Sequence, residues 1–139
     1  MANLSNYGEE LILDHIFNGE TLDLSDCYLG LVDSNAESND LENNDLTDEI
    51  TDYDGDRKSV SVGDFISAFQ DSGKGKTYNQ DYIDFENMPE VDVKFVILCD
   101  AATPSEGNII IWGEPENVRT TNEGDTYRLL AEEYVTTID

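Results

Sequence analysis
Residues 51–60, TDYDGDRKSV, set Asp52, Asp54 and Asp56 at alternate positions around Gly55. Alternating carboxylates beside a glycine are the oxygen donors from which a calcium loop is made. An EF-hand loop also needs a glycine at its sixth position and a bidentate glutamate at its twelfth. Counted from Asp52 those places hold Arg57 and Gly63, so the motif fails at both. What is left is either a weak, irregular site for a hard cation, Ca²⁺ or Na⁺, at Asp52, Asp54 and Asp56, or a plain solvated turn.

Other candidate chemistry is thinner. VSVGDF at 60–65 and GKGK at 73–76 lack the glycine spacing and the strand-loop-helix setting of a phosphate cradle, and read as loop or hairpin elements. Close carboxylate pairs such as Glu132 and Glu133 arise by number alone among 32 acidic residues. A general acid needs a carboxyl whose pKa is raised in an apolar cleft, which a sequence does not display. Cys27 and Cys99 stand in strand-like apolar contexts, CYLGLV and FVILC, and read as buried thiols, with a disulfide between neighbouring strands as the alternative. His15 is the only histidine and has no dyad partner. Trp112, Tyr127 and Tyr134 read as core or subunit-contact aromatics. No constellation specifies a catalytic mechanism, a cofactor or a nucleotide site.

The elements that must carry these residues follow from periodicity. Residues 6–18, NYGEELILDHIFN, predict a helix, with Asn6 as its cap, Glu9 at the capping-box place and Asn18-Gly19 as its stop. Tyr7, Leu11 and His15 share a stripe, with Ile12 and Ile16 beside it, which should pack on a sheet. Beyond Cys27 the pattern turns to short apolar runs of period two. Strands are expected at 26–32, 57–69, 78–86, 91–99, 107–113, 125–130 and 133–138. The chain is therefore expected to be all-β, a mainly antiparallel sandwich or barrel with one short N-terminal helix, and a single domain over 1–139. Residues 33–56 hold ten carboxylates and no Lys or Arg. This acidic surface loop, with Leu46 and Ile50 too isolated for a core of its own, is expected to be partly mobile unless a cation or a neighbouring subunit pins it.

Charge excludes whole classes of partner. Seven basic residues against 32 acidic ones give a formal net charge of −25. A nucleic-acid backbone requires clustered Lys and Arg, which are missing here. No apolar run approaches the roughly 20 residues of a membrane helix. The start, MANLSNYGEE, shows neither a secretory signal nor a lipidation site. Self-repulsion of this size suits a salty, marine or halophilic habitat, where screening is strong; the alternative is an ordinary acidic protein with solvated carboxylates.

The opening MANLSNYGEELILDHIFNG, followed by CYLGLVDS, resembles the start of a family of small tailed-phage virion proteins labelled tail-fibre-like. Those open with a helix of the form L-S-x-x-A-E-x-x-L-L-D-H and continue into a strand of the form T-Y-L-A-L-F. LCDAATPSEGNIII at 98–111 is similar to the family's FDAATGGNLL, and GDTYRL at 124–129 to its G-D-T-L-R. The likeness covers 1–32 and 91–139 well and the middle loosely. The acidic segment 33–56 and the DSGKGK hairpin depart from it, while Arg57 matches an arginine of the family strand that follows a small-residue turn. The resemblance implies a non-enzymatic β-sandwich built into a virion, with no catalytic residues to carry over.

Together these readings predict a structural virion protein, a head decoration or tail-associated component on the particle exterior. Its partners would be capsid-shell or tail proteins and further copies of itself, with no nucleic acid and no membrane. Subunit contacts are expected from Tyr7, Leu11 and Trp112 and from open strand edges. The alternatives are a cation-dependent adhesion or carbohydrate-binding module and, more remotely, a two-carboxylate hydrolase.

Overall fold
The computed structural model describes residues 2–21, 27–61, 63–115 and 118–138. Eleven strands and two helices follow in the order β1 (Ala2–Leu4), α1 (Asn6–Asn18), β2 (Cys27–Asp33), α2 (Ser38–Glu42), β3 (Lys58–Val60), β4 (Phe69–Asp71), β5 (Lys74–Tyr78), β6 (Ile83–Met88), β7 (Val91–Cys99), β8 (Ile109–Gly113), β9 (Arg119–Thr121), β10 (Asp125–Leu129) and β11 (Val135–Ile138). Nine of them form one mixed sheet in the order β3-β2-β7-β8-β1-β11-β5-β4, with β9 on the first part of β7. β1 pairs with β11 in parallel, and every other pairing is antiparallel. The sheet does not close, so of the two expected architectures the barrel is not formed.

A two-stranded ribbon, β10-β6, supplies the second layer. Phe85 and Met88 from β6 and Tyr127 and Leu129 from β10 pack with Leu29 and Leu31 of β2 and Val93, Val96 and Leu98 of β7 in the larger core cluster. A smaller cluster joins Val32, Phe95, Ile97, Cys99, Ile109 and Trp112 to Ala36 and Leu41. The side-chain alternation of β2 and β7 thus feeds two cores, and both strands are buried along most of their length.

α1 spans the expected residues, but Ser5 rather than Asn6 caps it. The Ser5 Oγ accepts from the Gly8 N–H (3.0 Å) and donates to the Ile109 carbonyl, so one hydroxyl both starts the helix and fastens it to β8. With the cap moved back by one, Glu9 falls outside the capping-box place. Gly19 ends the helix in the left-handed conformation, as the Asn-Gly stop predicts. Gly8 lies on the β8 backbone, where an added Cβ would collide with the Ile110 carbonyl oxygen.

Several boundaries differ from expectation for identifiable reasons. The run 57–69 is not one strand. Asp64 accepts from the Ser61 N–H (2.6 Å) while its own N–H donates to the Ser61 carbonyl (3.0 Å), and this turn separates β3 from β4. Strand 78–86 divides at Asn79, a buried amide that donates to the carbonyls of Asp81 and Leu130 and accepts from Tyr134 N–H. β1 and β9, three residues each, fall outside the predicted set, and β4 and β5, the hairpin that carries GKGK, meet it only at Phe69 and Tyr78. Residue 26, the first of another expected strand, lies outside the described residues.

The acidic segment 33–56 has more structure than a surface loop. Leu41 is fully buried and Ala36 nearly so in the smaller core, while Ile50 and Tyr53 join the larger one. Glu37 N–H donates to Asp40 (2.9 Å) at the start of α2, and Trp112 Nε1 donates to Glu42 (3.2 Å) behind it. The segment then runs beside β2, where Ile50 N–H donates to Leu31 and Asp33 N–H to Asp48. Its side chains are thus packed into both cores. Among the described residues no helix is long and apolar enough to cross a membrane.

Candidate functional site
The strongest concentration of buried charge lies where this acidic segment meets the β7–β8 loop. Arg57 Nε donates to Glu49 Oε1 (2.7 Å) and Arg57 Nη2 to Glu49 Oε2 (2.8 Å), with both side chains wholly out of solvent. Arg57 Nη1 donates to the carbonyls of Ala101 (2.7 Å) and Glu106 (2.9 Å). Glu49 Oε2 also accepts from Ser105 N–H (2.6 Å), and Arg57 N–H donates to the Ala102 carbonyl (3.0 Å). Burial is the largest single influence and opposes the guanidinium charge, but the Glu49 hydrogen bonds together with the Coulombic effects of Cys99, Glu49 and Tyr53 exceed it, and the Arg57 pKa is raised. Gly30 makes room for the pair: a Cβ there would stand 2.8 Å from Glu49 Oε1.

The loop so held is the DAAT…GN stretch. Asp100 accepts from Asn108 through both the backbone N–H (2.6 Å) and the side-chain amide (3.1 Å). Asn44, at a positive φ of 62°, reaches in from the acidic segment; it accepts from Ile109 N–H (2.6 Å) and donates to Asn108 (3.2 Å). Tyr7 of α1 closes the group, its hydroxyl pKa raised by burial and then by the adjacent Asp100 carboxylate. Asp100 and Asn108 thus shape a loop that Arg57 and Asn44 tie to the acidic segment.

The three aspartates do not converge. Asp52, Asp54 and Asp56 are all exposed; Asp54 accepts from Asn87 (3.1 Å), and the same Asn87 borders a shallow depression with Asp52, Glu90 and Glu123. Among the described residues no three acidic, His or Cys side chains form a metal-ligand group. His15 is exposed on α1 and donates through Nδ1 to the Glu20 carbonyl (2.7 Å), fastening the turn after the helix. Cys27 and Cys99 are buried and no disulfide joins them, which selects the thiol reading; burial pushes the Cys99 thiol up to about 12.

An apolar pocket of about 260 Å³ lies on the sheet face, lined by Cys27, Val60, Phe65, Leu98, Ile111 and Tyr134 among others, with no charged side chain among its described lining. The expected contact residues are placed inward. Tyr7 and Leu11 are half-buried against the larger core, and Trp112 is 8% exposed, edge-on to Phe95. The same helix turns Leu13, Ile16 and Phe17 outward. At the other layer, Arg128 of GDTYRL forms a two-pronged pair with Asp84 (2.7 and 2.8 Å) and lies over the Tyr82 ring.

Glu49 escaped the sequence reading because it is one of ten carboxylates in its segment, and nothing in the spacing distinguishes it. Arg57 stood out only through the resemblance.

Residues 3–137 match the family model described as podophage GP4 fiber I protein gp80. The chain belongs to this phage fibre family, which agrees with the tailed-phage likeness of its two ends and extends it through the middle. No curated protein matches the chain.

Proposed function
We propose that this chain is a non-enzymatic structural component of a tailed-phage particle, working by docking on other virion proteins and by pairing with further copies of itself. The family match over 3–137 carries this reading. The fold supports it in kind, because the buried charges Glu49 and Arg57 hold a loop and are closed to a reactant. The sheet ends on β4, Phe69–Asp71, exposed along its whole length with Phe69 outward, and such an edge invites a partner strand. A formal charge of −25 favours the particle exterior over a surface facing packaged DNA.

Copy number per particle, measured by quantitative mass spectrometry against the major shell protein, tests the proposal. Hundreds of copies mean a head decoration and a handful mean the tail or its fibres. Absence from purified particles would defeat the reading.

A further inference from the structure
We propose that the outward face of α1 is a docking surface for a different virion protein, one that presents an apolar groove bordered by Lys and Arg. This rests on the virion reading above. Leu13, Ile16 and Phe17 are 54%, 63% and 77% exposed, three large apolar side chains together on a helix whose other face, Tyr7 and Leu11, is already committed to the core. Spacings of three and four place them side by side. Scattered exposed apolar residues need no explanation, but a cluster on one rigid element is the anchor of an interface.

The rim of this cluster specifies the partner. Glu9 and Glu10 lie one turn before Leu13, Asp14 lies beside it, and Glu20 follows Phe17 just past the cap; all four are exposed. Glu20 is tied back by its N–H to the Asp14 carbonyl (3.3 Å), so its place next to the helix end is set. No Lys or Arg precedes Arg57 in the chain. Pairing of two copies through this helix would oppose these carboxylates to their own counterparts, and an anionic lipid surface would repel them as well. A groove with a basic rim satisfies both the apolar centre and the acidic border.

Deleting the N-terminus is an ambiguous test, since β1 lies inside the sheet between β8 and β11. Point variants in the phage avoid this, with the purified chains checked for unchanged melting. Phe17→Ser, and separately Glu10→Lys with Asp14→Lys, are expected to lower copies per particle at least about tenfold. Leu130→Ser, at a site elsewhere as exposed as Leu13, is expected to leave them unchanged. A benzophenone photocrosslinker at position 17 is expected to capture another virion protein at a segment carrying Lys or Arg. Unchanged incorporation of Phe17→Ser, or a crosslink to a second copy of this chain, would overturn the inference while leaving the virion reading intact. Absence of the unaltered chain from particles would defeat both.

Discussion

Arg57 grips Glu49 with two parallel hydrogen bonds of 2.7 and 2.8 Å, and neither side chain touches solvent. The pair joins an acidic segment that is foreign to the resemblance to a DAAT loop that belongs to it. Arg57 Nη1 also donates to the carbonyls of Ala101 and Glu106, and Glu49 Oε2 accepts from Ser105 N–H, so these backbone partners offset part of the desolvation of the two charges.

Removing one partner strands the other. Arg57→Ala is expected to destabilise the chain by about 3–5 kcal/mol in urea denaturation, whereas Glu49→Leu combined with Arg57→Met should recover most of that loss. Arg57→Lys keeps the charge but not the fork, so it should fall between them. A cost below about 1 kcal/mol for Arg57→Ala would show that the pair contributes nothing as a clamp.

Gly30 offers an independent handle on the same cluster. A methyl there collides with Glu49 Oε1 at 2.8 Å and crowds Arg57 Nε at 3.3 Å. Gly30→Ala should cost about 1–3 kcal/mol, and the penalty should shrink in a Glu49→Ala background, where the obstructing oxygen is gone. Equal penalties in both backgrounds would place the strain elsewhere.

Self-repulsion should make stability depend on salt. With a net charge of −25, the melting temperature is expected to climb from about 0.05 M to about 1 M salt, where the Debye length is about 3 Å. A flat profile would mean that the carboxylates are adequately solvated at low salt, and the salt-adapted reading would fall.

At the exposed ribbon, hydrogen bonds from Arg128 hold the Asp84 carboxyl below its usual range. A depressed folded-state pKa contributes stability that is present above the unfolded value of about 3.9 and is lost as pH falls through the lower folded value. Carboxyl NMR titration should therefore find Asp84 titrating low, and Arg128→Gln should return it toward the ordinary value. An ordinary midpoint in the unaltered chain would refute the pairing in solution.

Titration calorimetry with Ca²⁺ bears on Asp52, Asp54 and Asp56. Their exposure, and the absence of a metal-ligand group among the described residues, predict no measurable heat. Tight binding would reopen the cation-dependent adhesion alternative.

Local patterns made part of this protein legible. The helix at 6–18 and the strand at 91–99 have the bounds their residues predict, because Gly19 ends the helix by its own backbone freedom and the β7 run VDVKFVILC is long and apolar enough to declare itself. The mainly β character followed from the same kind of local pattern, whereas the choice between buried thiols and a disulfide at Cys27 and Cys99 was made by the structure. The resemblance of the two ends pointed to the family before any fold was known.

Tertiary structure decided what depends on neighbours distant in sequence. Ser5 became the cap because β8 offers its hydroxyl an acceptor at Ile109, a residue more than a hundred positions away. β1 is too short to show a period and exists because β8 and β11 flank it. Glu49 differs from nine other carboxylates in its segment only in meeting Arg57, and Leu13, Ile16 and Phe17 differ from Tyr7 and Leu11 only in which side the sheet covers. Propensity and spacing act over a few residues, whereas burial and charge pairing are set by whatever the folded chain brings within a few ångströms.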